Sequence, residues 1–192
     1  MNNNKQLHPV HKVYDGTFTT ASGIKIDICN PTPDMITISD IAKSLSKICR
    51  FGGHTNIFYS VAQHSCLVAS LITEPLMMEG LLHDASEAYL GDVIKPLKVL
   101  LGEAYSSLEV KFEKAIEARF KLYNGEEVKA LVKKADMQAL ELEHSAFVKG
   151  NRNPLINTIN KYRLFQDFAH AWDPLEAEQR LFVNFGLIVK TR

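Results

Sequence analysis

The stretch Gly80-Leu81-Leu82-His83-Asp84-Ala85-Ser86-Glu87-Ala88-Tyr89-Leu90-Gly91-Asp92 sets the hardest condition on any fold this chain can adopt. It opens as an apolar helix and then carries an imidazole, two carboxylates and a tyrosine within about two turns. Gly91 supplies the residue able to take φ > 0 that ends many helices. Ionisable groups bordering an apolar stripe are costly to desolvate unless something pairs with them. A divalent cation would do so, because imidazole nitrogen and carboxylate oxygen are good ligands for it. The fold therefore has to bring partners to His83, Asp84 and Glu87 from elsewhere in the chain.

Hydrophobic periodicity supplies the candidates. Ile41, Leu45, Ile48 and Cys49 share one face of a helix starting at Thr37 or Ser39 and ending at Arg50-Phe51-Gly52-Gly53. Arg50 is thereby expected at a helix end beside a flexible loop. Ser60-Val61-Ala62-Gln63 reads as a capping box opening a helix that runs to Ile72. Val61, His64, Val68 and Leu71 lie on one face of it, which turns His64 inward. A later helix, about residues 126 to 148, buries Val128, Val132, Ala135, Ala139 and Leu142. Asp136 falls on the same face, where a carboxylate needs a buried cation or several hydrogen-bond donors, and nothing adjacent in sequence supplies either. Lys95 and Lys98 stand three apart, close enough to face one anion.

The remaining segments complete an all-α domain with a small N-terminal β-hairpin. Phe18, Ile24, Ile26 and Ile28 alternate with polar residues around an Ala21-Ser22-Gly23 turn, which predicts the hairpin over 16–28. Tyr105, Leu108, Phe112, Ile116 and Phe120 mark an amphipathic helix between Glu103 and Tyr123. Another helical segment begins at Asn153-Pro154 and continues through Tyr162, Leu164, Phe165 and Phe168. Asp173-Pro174-Leu175-Glu176 is a helix start, followed by a stripe of Leu175, Leu181, Phe182 and Phe185 with Trp172 as a core anchor. Residues 1–29 form an arm and hairpin, and 30–192 the helical body.

At 192 residues, 46% hydrophobic and 23% charged, the chain suits one globular domain with no sign of disorder. Its 22 basic and 22 acidic residues leave no cationic excess for sequence-independent nucleic-acid binding, while a small anion held by a few local cations remains compatible. No apolar run is long enough to span a membrane and the Asn-rich start lacks a signal-peptide core. The 3 cysteines, Cys29, Cys49 and Cys66, form no C-x-x-C pair and read as buried thiols of a reducing compartment. A cytoplasmic protein is expected.

His64, His83, Asp84 and Asp136 together offer two imidazoles and two carboxylates from three inward-facing helices, which is the donor set of a divalent metal site with room for water. In these residues the sequence resembles the HD-domain phosphohydrolases, whose pattern is H…HD…D, and in particular their 5′-deoxynucleotidase branch, including relatives carried by bacteriophages. The matching segments are Ile48-Cys49-Arg50-Phe51-Gly52-Gly53-His54, Tyr59-Ser60-Val61-Ala62-Gln63-His64-Ser65, Gly80 through Asp92, and Lys134-Ala135-Asp136, within roughly residues 30 to 145.

The resemblance implies an HD-domain helical bundle in which His64, His83, Asp84 and Asp136 hold one divalent cation per chain (Mn, Co, Fe or Zn). It further implies that Arg50 orients the substrate phosphate and that Glu87 is an acidic catalyst beside the reacting centre. Arg50, Phe51, His64, Asp84, Asp92, Val93, Ile94, Lys95 and Asp136 would contact the substrate. Phe51 departs from the tryptophan of characterised enterobacterial members, and the loop from Arg50 to His64 is one residue shorter. Both differences bear on the choice between deoxyribose and ribose. The activity implied is hydrolysis of deoxynucleoside 5′-monophosphates to deoxynucleoside and phosphate, in a homodimer. Release of di- or triphosphate from deoxynucleotides at the same site is one alternative, and a non-catalytic nucleotide-binding helical protein is another.

Overall fold

A computed structural model describes residues 15–148, 168 and 170–191. Helix α2 (Val61–Ser70) is its axis. Every residue from Val61 to Ala69 is buried, including Gln63, His64 and Ser65. A helix enclosed on all sides has no solvent face, so the inward face expected from Val61, His64, Val68 and Leu71 understates its enclosure. Against α2 pack α1 (Ile38–Leu45), α3 (Met77–Leu81), α7 (Glu126–Glu143) and the C-terminal α8 (Pro174–Thr191). A short α4 (Glu87–Leu90), α5 (Lys95–Leu101) and α6 (Glu103–Phe120) complete the helical body. Ile41, Leu45, Val61, Ala62, Leu81, Phe112, Trp172 and Leu181 lie in its main core.

The hairpin forms as its alternation predicts. Strands β1 (Thr17–Thr19) and β2 (Lys25–Asp27) pair antiparallel, with Phe18 opposite Ile26. Ile26 is fully buried. Asp40, in the first turn of α1, ties the hairpin tip down: it accepts from Ser22 Oγ at 2.6 Å, Ser22 N at 2.9 Å, Thr20 Oγ1 at 3.0 Å and Thr37 Oγ1 at 2.9 Å. Thr37 also caps α1 by accepting from the Asp40 amide.

Several expected boundaries move. Helix α1 stops at Leu45, and Arg50 lies past it on a 3-10 turn, Arg50–Gly53, that follows an isolated antiparallel bridge between Cys49 and Ser60. Phe51 adopts φ 57, ψ 27 there, a left-handed conformation costing a non-glycine residue about 1–3 kcal/mol. Ser60 caps α2 by accepting from Gln63 N, but the Gln63 side chain does not close the box. It donates instead to His170 O at 2.7 Å and accepts from Trp172 N at 3.0 Å, binding α2 to the entry of α8. Asp173 caps α8 through the Glu176 amide at 2.9 Å. The buried side of α8 is Ala177, Leu181 and Ile188, whereas Leu175 and Phe182 are exposed, contrary to the stripe expected from sequence. Of the cysteines only Cys66 is buried; Cys49 is partly so and Cys29 exposed. Tyr162, Leu164 and Phe165 lie outside the described residues.

Gly80 marks the tightest approach of α3 to α2. A Cβ there would meet Ile72 Cδ1 at 2.6 Å and the Ala69 backbone at 3.2 Å. Gly80→Ala is expected to cost about 1–3 kcal/mol, the range for overpacking a close-packed interior, read as a lower denaturation midpoint with an unchanged slope.

Candidate metal centre and its cavity

The side chains that define the centre come from α2, α7 and the segment between α3 and α4. That segment is not one helix, as the sequence predicted. Leu82 to Ser86 form successive turns, with amide-to-carbonyl bonds from Ala85 to Leu82 and from Glu87 to Asp84. The Gly80 carbonyl, which a continuous helix would offer to the Asp84 amide, accepts from His83 Nδ1 at 2.8 Å. A carbonyl can only accept, so Nδ1 carries hydrogen and Nε2 is left facing the centre. Gly91, at φ 80, then ends α4 and releases the chain toward Asp92.

Three side chains converge on one point, and a fourth approaches two of them. His83 Nε2 lies 3.3 Å from His64 Nε2, and Asp84 Oδ2 lies 3.2 Å from His83 Nε2 and 3.4 Å from His64 Nε2. Asp136 Oδ1 approaches the same two nitrogens at 3.4 and 3.8 Å. Neighbouring ligands bound at about 2.0–2.2 Å to one cation lie roughly 2.8–3.6 Å apart, so the separations among His64, His83 and Asp84 fit a common ion, while Asp136 at 3.8 Å from His83 Nε2 stands just outside that range. The tightest group is His64, His83 and Asp84, whose ligating atoms all fall within 4.8 Å of one another. This group could hold a metal ion, with no thiolate to restrict its identity.

The electrostatics agree with that fit. Burial opposes charge on His83, yet Asp84 and Asp136 outweigh it and lift the imidazole to about 9. Burial and Arg50 oppose charge on His64, but Glu143 raises it well above its ordinary value. Asp84 resists burial through His83 and His64 and stays far below the usual carboxylate range. Asp136 is likewise held low by both imidazoles and by Lys133, whose Nζ lies 2.7 Å from Oδ2. Lys133 is an exposed partner three residues earlier, and the inward contacts of Asp136 are to the two imidazoles. The carboxylates thus favour positive charge beside the two imidazoles, a role that a divalent ion would take over because a ligating nitrogen carries no proton.

On one side the centre opens into a cavity of about 610 Å³. Arg50, Phe51, Asp84, Glu87, Asp92, Val93, Ile94, Lys95 and Asp136 all border it, which brings together the residues expected to meet a substrate, apart from the enclosed His64. Arg50 Nη1 is 3.5 Å from Asp84 Oδ2, and its Nε has no partner among the described residues. Glu87 is buried, and burial together with Asp84 and Asp92 raises its carboxyl to about 8; its Oε2 likewise has no partner among the described residues. Lys98, which stands close enough to Lys95 in sequence to share an anion, is paired with Glu109 at 2.7 Å and lies 3.6 Å from Glu87. A second cavity of about 420 Å³ reaches Asp84 and Asp136 from the α6–α7 side, past His83.

Sequence reasoning missed Glu143. It is 1% exposed, and its Oε1 receives His64 Nδ1 at 2.6 Å and the Tyr59 hydroxyl at 2.9 Å. The signal was present: Glu143 lies seven residues after Asp136 and four after the buried Ala139, on the same side of α7. The helix expected to reach residue 148 ends at Glu143 and passes into a π-turn, His144–Val148. Such wide turns recur at functional sites.

No protein-family model matches the chain. It is 48% identical over 89 residues to the uncharacterized protein YfdR of Escherichia coli (strain K12), covering 46% of this chain and about half of that protein (49%). It is also 38% identical over 133 residues to the uncharacterized protein RCAP_rcc00048 of Rhodobacter capsulatus, covering 64% of this chain and 68% of that one. At that identity and coverage, the chain belongs to the same family as the Rhodobacter capsulatus protein.

Proposed function

We propose that the chain is a divalent-metal-dependent phosphomonoesterase of the HD-domain kind, releasing phosphate from deoxynucleoside 5′-monophosphates. One observation carries the reading: the candidate ligands Asp84 and Asp136 open onto the same cavity as a half-buried arginine and a buried glutamate. His64, His83, Asp84 and Asp136 would hold the cation, which supplies water activation near neutral pH and neutralises charge on a phosphoryl group.

The chain's own side chains do the rest. Arg50 binds non-bridging phosphate oxygens, using a planar fork whose Nε is without a partner among the described residues. Glu87, whose carboxyl is raised to about 8 in the metal-free protein by burial, Asp84 and Asp92, gives its proton to the 5′ oxygen as the P–O bond to it breaks. Asp92, Val93, Ile94 and Lys95 flank the nucleoside, and Phe51 stands beside the Arg50 guanidinium, 5.5 Å from ring centre to Cζ. The pairing of Lys98 with Glu109 removes one cation from the pool a polyphosphate would need, which supports a monoester.

The test is a panel of deoxy- and ribonucleoside mono-, di- and triphosphates offered to protein loaded in turn with Mn, Co, Fe and Zn. Orthophosphate released from deoxynucleoside monophosphates is the expected result. Pyrophosphate or triphosphate as product would move the reading to the polyphosphate alternative, and turnover of none would leave a binding protein.

A further inference from the structure

Glu143 touches both halves of the proposed machinery. Its Oε1 receives His64 Nδ1 at 2.6 Å, and its Oε2 receives Arg50 Nη2 at 3.3 Å. We infer that Glu143 is a positioning residue that couples the metal centre to the anion-binding end of the cavity, one carboxylate fixing both the tautomer of His64 and the aim of Arg50. The inference rests on the metal and phosphate reading above and deepens it.

An ionised carboxylate has only acceptors, so His64 must present N–H at Nδ1 and direct Nε2 to the centre. A carboxylate behind a ligating imidazole also orients the ring and raises its basicity, and losing it typically lowers metal affinity about 10–100-fold. The second oxygen meanwhile restrains a guanidinium whose Nη1 reaches Asp84 at 3.5 Å. Arg50 is thus held between two carboxylates, one on each branch of its fork.

The surroundings keep Glu143 fixed. The Tyr59 hydroxyl donates to it at 2.9 Å, and the Phe147 ring, brought round by the π-turn, packs on the Tyr59 ring with centroids 4.7 Å apart. Asn56 N donates to Phe147 O at 3.0 Å, which closes the segment carrying Arg50 onto the end of α7. A displacement of Glu143 would therefore be felt by a metal ligand and by the phosphate arginine together, which is coupling in the thermodynamic sense.

Glu143→Gln tests this. An amide has one acceptor oxygen and one donor nitrogen, so it cannot accept at both ends as the carboxylate does. The probes are Co²⁺ alone, followed by the visible absorption of the bound ion, and inorganic phosphate added to protein saturated with cobalt. Glu143→Gln is expected to weaken Co²⁺ binding about 10–100-fold with an altered spectrum. Phosphate binding to the cobalt-saturated variant is expected to weaken about tenfold or more. Wild-type values for either ligand overturn the inference. Tyr59→Phe removes one donor to Glu143 and keeps the charge, and both affinities should fall together by about threefold. If Glu143→Gln does not fold, Tyr59→Phe decides the question, and a change in neither affinity or in only one overturns the coupling. Wild-type protein that binds no cobalt would refute the metal reading itself, an outcome distinct from cobalt binding that ignores Glu143.

Discussion

Asp84→Ala is expected to give a folded protein that retains no divalent metal and turns over no phosphate ester. The Asp84 carboxylate faces three cationic groups: His83 Nε2 at 3.2 Å, His64 Nε2 at 3.4 Å and Arg50 Nη1 at 3.5 Å. Its removal withdraws a direct ligand and the charge against which both imidazoles and the guanidinium are set. The metal-free variant should also lose stability, by about 1–3 kcal/mol, because those buried donors keep their desolvation cost and lose a partner. The pH dependence follows from the sign of the shift. The folded carboxyl lies well below its ordinary value of 3.8, so its contribution is present above that value and lost as pH falls through the folded one. Wild type and variant should therefore converge in stability under strongly acidic conditions. Elemental analysis is the first measurement, and full occupancy in Asp84→Ala would remove this centre from the mechanism.

Glu87→Gln should separate proton transfer from metal binding. The amide keeps the shape of the carboxyl and cannot give up a proton, so kcat is expected to fall about 10²–10⁴-fold while metal content is unchanged. In wild type the rate should fall on the alkaline side as Glu87 ionises, at a pH set by its burial and by the bound cation together, and the variant should lack that limb. The stability consequence has the opposite sign to that of Asp84. A carboxyl raised from 4.5 to about 8 binds a proton in the folded state that the unfolded state has released, so stability declines as pH rises between those values. Glu87→Gln should therefore stabilise the metal-free protein at pH 8 and above while it disables the enzyme, a trade between activity and stability. Loss of metal together with activity would mark Glu87 as a ligand instead.

What the sequence made legible is the set of residues whose positions follow from period or from local chemistry. The hairpin around Ile26, the Thr37, Ser60 and Asp173 caps and the inward His64 all come from patterns spanning a few residues. The grouping of His64 with His83 and Asp84 was also legible, because costly polar groups on apolar faces have to meet. The break at Leu82–Ser86 was not, since helical spacing is preserved through a run of tight turns. Glu143 is half legible: its spacing from Asp136 and Ala139 puts it on the buried face of α7, but its partners His64, Tyr59 and Arg50 lie 79 or more residues away in the chain and no local pattern names them.

The hold of Asp40 on the hairpin tip has a practical consequence for anyone shortening this protein. A chain trimmed to begin near residue 30 would keep every side chain of the metal centre, yet it would discard Thr20 and Ser22, which supply three of the four contacts to the Asp40 carboxylate described above. What remained would be an anion in the interior with the Thr37 hydroxyl and water rushing in as its only relief. The β1–β2 hairpin is in that sense a stopper: it places no side chain in the candidate metal group, but pulling it out lets solvent into the foot of the helix that leads to Arg50.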